Sequence, residues 1–196
     1  MSVVLVDAGG TNIGSVRYAL QRLGVDAQLT SDAASIRAAD KVILPGVGAA
    51  GPGMARLREL DLVDVMRNLS QPVLGVCLGM QLLCTHSEEG DTECLGVVPA
   101  VVRRFDEMPR LRVPHMGWNR LVGRQPHALL TGLGDDDSAY FVHSYAVPPG
   151  NYSLATTDFG GEFSSVIANH NFHGMQFHPE RSAAVGAKLL KNFLSL

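Results

Sequence analysis

Apolar positions fall along this chain in two alternating rhythms. Ser2 to Asp7 is β-branched and almost continuously apolar, the pattern of a strand buried on both faces. It stops at Gly9 and Gly10. Ile13, Val16, Leu20 and Leu23 then recur at helical spacing, with Asn12 as the expected N-cap and Gly24 as the stop. The strand rhythm returns at Ala27 to Thr30 and at Lys41 to Leu44, the latter ended by the glycine-rich loop Pro45 to Gly48. A helix is expected from about Met54 to Leu69. Pro72 resets the chain, Val73 to Val76 reads as another buried strand, and an apolar helix follows from Leu78 to about Cys84. Strands that alternate with helices predict an α/β fold with a mostly parallel sheet.

Beyond Gly96 the pattern changes to short β-rich runs at Gly96 to Phe105, Ala139 to Tyr145, Tyr152 to Thr157, Ser164 to Ala168 and Phe172 to Phe177. These are expected to be antiparallel hairpins appended to the sheet. A last helix, from about Ala183, places Val185, Leu189, Phe193 and Leu196 on one core-facing side.

Composition narrows the function classes. A chain of 196 residues, 46% of them hydrophobic, is long enough for one well-filled core, so residues 1–196 are expected to form one domain. The net charge of -3, with no run of lysine and arginine, leaves no footprint for a polyanion, and no nucleic-acid partner is expected. No stretch approaches the ~20 apolar residues of a membrane span, so no membrane partner is expected either. Cys77, Cys84 and Cys94 are an odd set with no C-x-x-C pair, which fits a reducing cytoplasm.

The chemistry concentrates where the fourth strand turns into its helix. Gly75-Val76-Cys77-Leu78-Gly79 matches the logic of a nucleophile elbow, in which glycines on both sides permit a turn sharp enough to hold the nucleophile above the strand ends. A thiol at a helix N-terminus is favoured as thiolate. The same five residues also suit a small core cysteine between packing glycines. A nucleophile needs a base, and of seven histidines His178 has the most suggestive surroundings. In Gly174-Met175-Gln176-Phe177-His178-Pro179-Glu180 it ends an apolar run, Pro179 fixes the next backbone angle, and Glu180 is near enough to orient the imidazole. By itself this segment also fits a strand-end cap, or a metal cluster with His170 and His173. No cysteine accompanies those histidines, and no metal is expected. The loop Pro45-Gly46-Val47-Gly48 follows a predicted parallel strand and so lies at the same sheet edge as Cys77. It reads either as a tight turn or as a backbone N–H aimed at an oxyanion, joined by the N–H of Leu78.

Taken together, Gly75 to Gln81 and Phe177-His178-Pro179-Glu180 resemble the class I, or triad, glutamine amidotransferases. Within that class, Leu44 to Gly48, Pro114-His115-Met116-Gly117-Trp118-Asn119 and Tyr140 to Tyr145 look like the glutaminase subunits of imidazole glycerol phosphate synthases. Thr11 departs from the glycine or alanine usual in the family's N-terminal loop. The resemblance implies a flavodoxin-like architecture with catalytic Cys77, His178 and Glu180. It implies an oxyanion hole at Val47, Gly48 and Leu78, and glutamine held by Gln81, Glu89, Ser144 and Tyr145. It also implies no organic cofactor and a (β/α)8-barrel cyclase subunit as the partner that receives ammonia. Glu89 lies in an acidic run, Glu88 to Asp91, that reads equally as a solvated surface. Cysteine hydrolases that share the elbow, and redox modules with an oxidisable thiol, remain compatible with Cys77 alone.

Overall fold

The computed structural model describes residues 1–9, 13–109 and 111–196, so the expected Asn12 N-cap, with Gly10 and Thr11, lies outside the described residues. The first half runs β1 (Val3–Val6), α1 (Ile13–Arg22), β2 (Gln28–Thr30), α2 (Ala33–Ala38), β3 (Lys41–Gly46), α3 (Ala50–Glu59), α4 (Val63–Arg67), β4 (Val73–Cys77) and α5 (Leu78–Leu82). The second half runs β5 (Cys84–Ser87), β6 (Thr92–Glu93), β7 (Val98–Arg104), β8 (His115–Arg120), β9 (Ser138–His143), β10 (Tyr145–Ala146), β11 (Ser153–Asp158), β12 (Glu162–Asn169), β13 (Phe172–Met175) and α6 (Ala183–Leu194).

The central sheet has the order β11-β12-β13-β4-β3-β1-β2. Its strands β2, β1, β3, β4 and β13 are mutually parallel, the flavodoxin-like order, whereas β12 and β11 continue it antiparallel. Near-continuous apolar strands are explained by burial on both faces. Val4, Val6, Val42, Leu44 and Val73 pack toward Met54, Leu57, Met66 and Leu82 on one side. Their neighbours Val3, Leu5, Ile43 and Leu74 pack toward Val16, Leu20, Leu189 and Phe193 on the other. Two cores therefore clamp the sheet, and its strands cannot slide without moving apolar side chains between them.

Several expectations are corrected. The single helix from Met54 to Leu69 is two helices, and the first begins at Ala50. Pro52 is accommodated in the first turn, where its missing N–H has no intrahelical partner to lose. The break falls at Asp61, in the left-handed region at φ 54°, where Leu62 N–H bonds back to the Leu57 carbonyl at 2.9 Å. That cap usually shows itself through glycine, and here it carries aspartate. The helix after Cys77 ends at Leu82, and Cys84 already belongs to β5.

The appended hairpins are more varied than expected. β11 and β12 pair antiparallel and widen the central sheet, but β13 is its fifth parallel strand. β10, β7, β5 and β6 make a second sheet in which β5 and β7 run parallel. β8 and β9 form a separate ribbon. No helix among the described residues is long and apolar enough to cross a membrane.

Candidate active site

Parallel β3, β4 and β13 deliver their carboxyl ends to one edge, and the site is assembled there. Cys77 is the last residue of β4 and the residue from which α5 starts. Its backbone stands at φ 54° and ψ -113°, a non-glycine strain of about 1–3 kcal/mol that surrounding packing has to hold. Glycines supply the room. A Cβ on Gly75 would lie 2.5 Å from the carbonyl oxygen of Gly79, and one on Gly79 would lie 1.8 Å from that of Leu44. No side chain fits at either position, so the elbow is compressed between β3 and its own helix. α5 has only five residues and carries little macrodipole. The groups around the sulfur matter more than the helix does.

His178 is the first of these. It follows β13 by two buried residues and hydrogen-bonds Cys77. Its Nδ1 lies 3.0 Å from Oε1 of Glu180, so Nδ1 carries the proton and Nε2 is left for the sulfur. Burial disfavours the imidazolium, but hydrogen bonds to Cys77 and Glu180 and their negative charge outweigh it. His178 is pushed up to about 10. The arrangement favours a protonated imidazole beside the sulfur at neutral pH.

The histidine's backbone is fixed as firmly as its ring. His178 N–H donates to the Tyr140 carbonyl at 3.0 Å, and Ser182 Oγ donates to the His178 carbonyl at 2.7 Å while accepting from Tyr140 N–H at 2.9 Å. Ser182, fully buried, thus ties β9 to the turn that carries His178. Sequence reading missed this role, since a serine four residues after a histidine carries no distinctive signal.

A cleft of about 350 Å³ opens over Cys77. Val47, Gly48, Leu78, Gln81, Glu89, Ser144, Tyr145 and His178 all line it, and Glu180 stands behind His178. All ten residues singled out in the sequence therefore converge on one place. Gly48 sits at φ 100°, a conformation that glycine adopts freely. Glu89 is not a solvated surface charge: its Oε2 accepts Ala50 N–H at 2.8 Å and caps α3 from the cleft wall. Glu88 is similarly engaged, accepting Arg104 N–H at 3.0 Å. Cys84 and Cys94 are buried, and burial raises both thiols, Cys94 to about 11. His173 packs at a tilt beside His127 and edge-on to Phe193. Among the described residues no three His, Cys, Asp or Glu side chains converge to hold a metal ion.

Behind Ser144 and Tyr145 runs a buried polar chain. His143 Nδ1 lies 2.8 Å from the Tyr145 carbonyl, His115 Nδ1 lies 3.0 Å from His143 Nε2, and Asn119 Nδ2 lies 3.3 Å from His115 Nε2. A carbonyl only accepts, so His143 carries its proton on Nδ1 and accepts on Nε2. His115 then carries its proton on Nδ1 and accepts from Asn119. Both rings are neutral in this scheme. Burial lowers His115 to about 4 and His143 to about 3, in agreement with it. Asn119 is held in turn by the Asp158 carbonyl at 2.8 Å. The sequence displayed these histidines within motifs but offered no sign that they bond each other.

Comparison with known proteins agrees with this geometry. The class-I glutamine amidotransferase family matches residues 4–196. The chain is 56% identical over 194 residues to a protein of Xanthomonas axonopodis pv. citri (strain 306) named imidazole glycerol phosphate synthase subunit HisH, covering 99% of this chain and 97% of that one. It is 53% identical to the protein of the same name from Xylella fastidiosa (strain Temecula1), with the same coverage. Among solved structures, a glutamine amidotransferase superposes with a TM-score of 0.77 at 21% identity, covering 100% of this chain and 98% of that one. PurLQS from Thermotoga maritima superposes with 0.71 at 15% identity, covering 99% and 97%. These two likenesses show the shared fold. The match over nearly the full length, together with a strained Cys77 elbow set against His178 and Glu180, identifies the chain as a member of the class-I glutamine amidotransferase family.

Proposed function

We propose that this chain is the glutaminase subunit of an imidazole glycerol phosphate synthase, hydrolysing L-glutamine and passing ammonia to a (β/α)8-barrel cyclase subunit in histidine biosynthesis. The observation that carries the reading is Cys77 at the elbow with His178 hydrogen-bonded to it and Glu180 3.0 Å behind. The Cys77 sulfur attacks the side-chain carbonyl carbon of glutamine, and the oxygen takes the negative charge. The N–H groups of Gly48 and Leu78 receive that charge, with Val47 shaping the turn. His178 gives its proton to the amide nitrogen, the C–N bond breaks, and ammonia leaves a γ-glutamyl thioester on Cys77. Neutral His178 then takes a proton from water, whose oxygen attacks the thioester carbon. The C–S bond breaks, glutamate departs, and the thiolate and imidazolium are restored.

Glutamine's backbone end lies toward Glu89, Ser144 and Tyr145 in this reading, with the free Glu89 oxygen toward the α-ammonium. Gln81 takes part through its oxygen, because its Nε2 is committed to the Tyr145 carbonyl at 2.8 Å and to Gln176 Oε1 at 2.9 Å. The barrel partner docks on the outer face of the β8–β9 ribbon. Met116 and Trp118 are 63% and 56% exposed there, and Trp118 leans on Tyr140, over which Arg181 lies at 4.6 Å. Trp118 faces outward as a partner contact requires, whereas Asn119 turns inward to His115. Three free cysteines fit a reducing cytoplasm.

The test is Cys77→Ala in complex with the barrel subunit. Glutamine-driven synthesis should vanish while synthesis from added ammonium salt survives. Near wild-type glutamine hydrolysis by the variant would remove Cys77 from the mechanism.

A further inference from the structure

Gln176 joins the catalytic strand to the buried polar chain, and no step of the mechanism above uses it. It follows β13 directly, is fully buried, and its backbone N–H bonds the Ser165 carbonyl at 2.9 Å. Its side-chain oxygen accepts from Gln81 Nε2 at 2.9 Å, and its own Nε2 lies 3.9 Å from the sulfur of Cys77. The two ends of an amide have the same shape, so the bonding around it has to decide which end faces the sulfur. The Tyr145 carbonyl decides it. A carbonyl only accepts, and Gln81 therefore presents its NH2 group there. The second hydrogen of that group points at Gln176, which can answer only with its oxygen. The amide nitrogen of Gln176 is the end left for the sulfur. Turning Gln81 over would set its oxygen against the Tyr145 carbonyl. His143 holds that carbonyl in place from another direction, at 2.8 Å.

We propose that Gln176 is a catalytic hydrogen-bond donor to the Cys77 sulfur, locked in its donating orientation by Gln81 and the Tyr145 carbonyl, and that it favours the thiolate over the thiol. A donor to an ionised acceptor is stronger than one to a neutral acceptor, so the bond gains on ionisation. An amide N–H also does not titrate. His178 spends its proton on departing ammonia, but Gln176 still donates when the thiolate is expelled from the thioester.

This inference rests on Cys77 being the nucleophile, and the experiment separates the two. The rate of alkylation of Cys77 by iodoacetamide, followed by peptide mass spectrometry as a function of pH, is compared in the full wild-type chain and in Gln176→Met. Cys84 and Cys94 are buried with raised thiols and stay silent near neutrality. The variant's profile should move about one pH unit alkaline, so that it is alkylated about tenfold more slowly on the acidic limb of the profile. In the wild-type chain, NMR of glutamine side-chain amides should show the Gln176 N–H signals moving as the Cys77 sulfur ionises, a shift absent in Cys77→Ala. That measurement decides the matter if Gln176→Met does not fold. An unchanged profile in a variant that melts like wild type, or Gln176 amide signals blind to the sulfur, overturns the proposal and leaves the triad standing. A wild-type Cys77 no more reactive than Cys84 and Cys94 overturns the nucleophile assignment itself.

Discussion

Cys77 and Tyr145 line one cleft, yet different kinds of structure bring them there. Cys77 stands on the edge of the parallel sheet, where β3, β4 and β13 are clamped between two apolar cores and the turn is compressed by Gly75 and Gly79. Tyr145 stands on β10, a strand of two residues paired to β7, and depends on polar bonds from His143 and Gln81. The Cys77 side of the cleft is therefore held by packing, and the Tyr145 side, proposed to hold glutamine, is held by hydrogen bonds. Damage to the first should lower the rate of chemistry, and damage to the second should weaken substrate binding.

The sharpest way to break this contrast is in the triad. His178→Ala should all but abolish thioester formation in single-turnover measurements, because both proton transfers of the proposed mechanism run through its ring. Glu180→Gln should lose less, with about 10⁴-fold as the upper bound set by the equivalent change in a serine triad. Equal inactivity of the two would mean that Glu180 does more than orient the imidazole, and full activity of Glu180→Gln would take it out of the triad.

Partner binding should act on the chemical side through the Pro45 to Gly48 loop, whose Val47 and Gly48 line the cleft. Gly48 at φ 100° borders a peptide plane that can reorient cheaply, and we expect partner and acceptor to bias it toward the oxyanion site. One oxyanion donor is worth about 10²–10³ in rate, so glutaminase turnover should rise at least about 10²-fold when the barrel subunit and its ligand are added. An isolated chain that already hydrolyses glutamine at the rate of the liganded complex would end this expectation.

The hydrogen-bonded side predicts a smaller and different effect. His115→Phe keeps the ring stacked between Phe141 and Phe159 but cuts the chain from Asn119 to His143. KM for glutamine should rise about tenfold, the worth of one net hydrogen bond, while kcat stays within about twofold. A fall in kcat at unchanged KM would erase the distinction between the two sides.

The smallest effect is on stability against acid. His115 and His143 hold folded pKa values of about 4 and about 3, below the unfolded value, so the native state binds fewer protons than the unfolded chain. Their contribution is intact above about pH 6.5 and is lost as the pH falls through the folded values. Denaturant unfolding of wild type should weaken from pH 6.5 toward 4, and His115→Phe should flatten that slope. Identical slopes would show that the rings are not neutral in the native state.

The sequence by itself determined the parallel sheet, the elbow at Cys77, the pairing of His178 with Glu180 and the glycine loop before Gly48. These features are local, because a buried strand, a sharp turn and a residue two positions from its partner each leave their mark within a few neighbouring residues. Only the tertiary structure decided that Asp61 breaks a helix without glycine, that β13 joins β4 in parallel, and that Glu89 caps α3. It alone joined Ser182 to Tyr140, His115 to His143, and Gln176 to Gln81 and Cys77. Each of these contacts except the helix break links residues at least 28 positions apart. A polar side chain carries no trace in the sequence of which distant donor or acceptor the fold will bring within hydrogen-bonding distance of it.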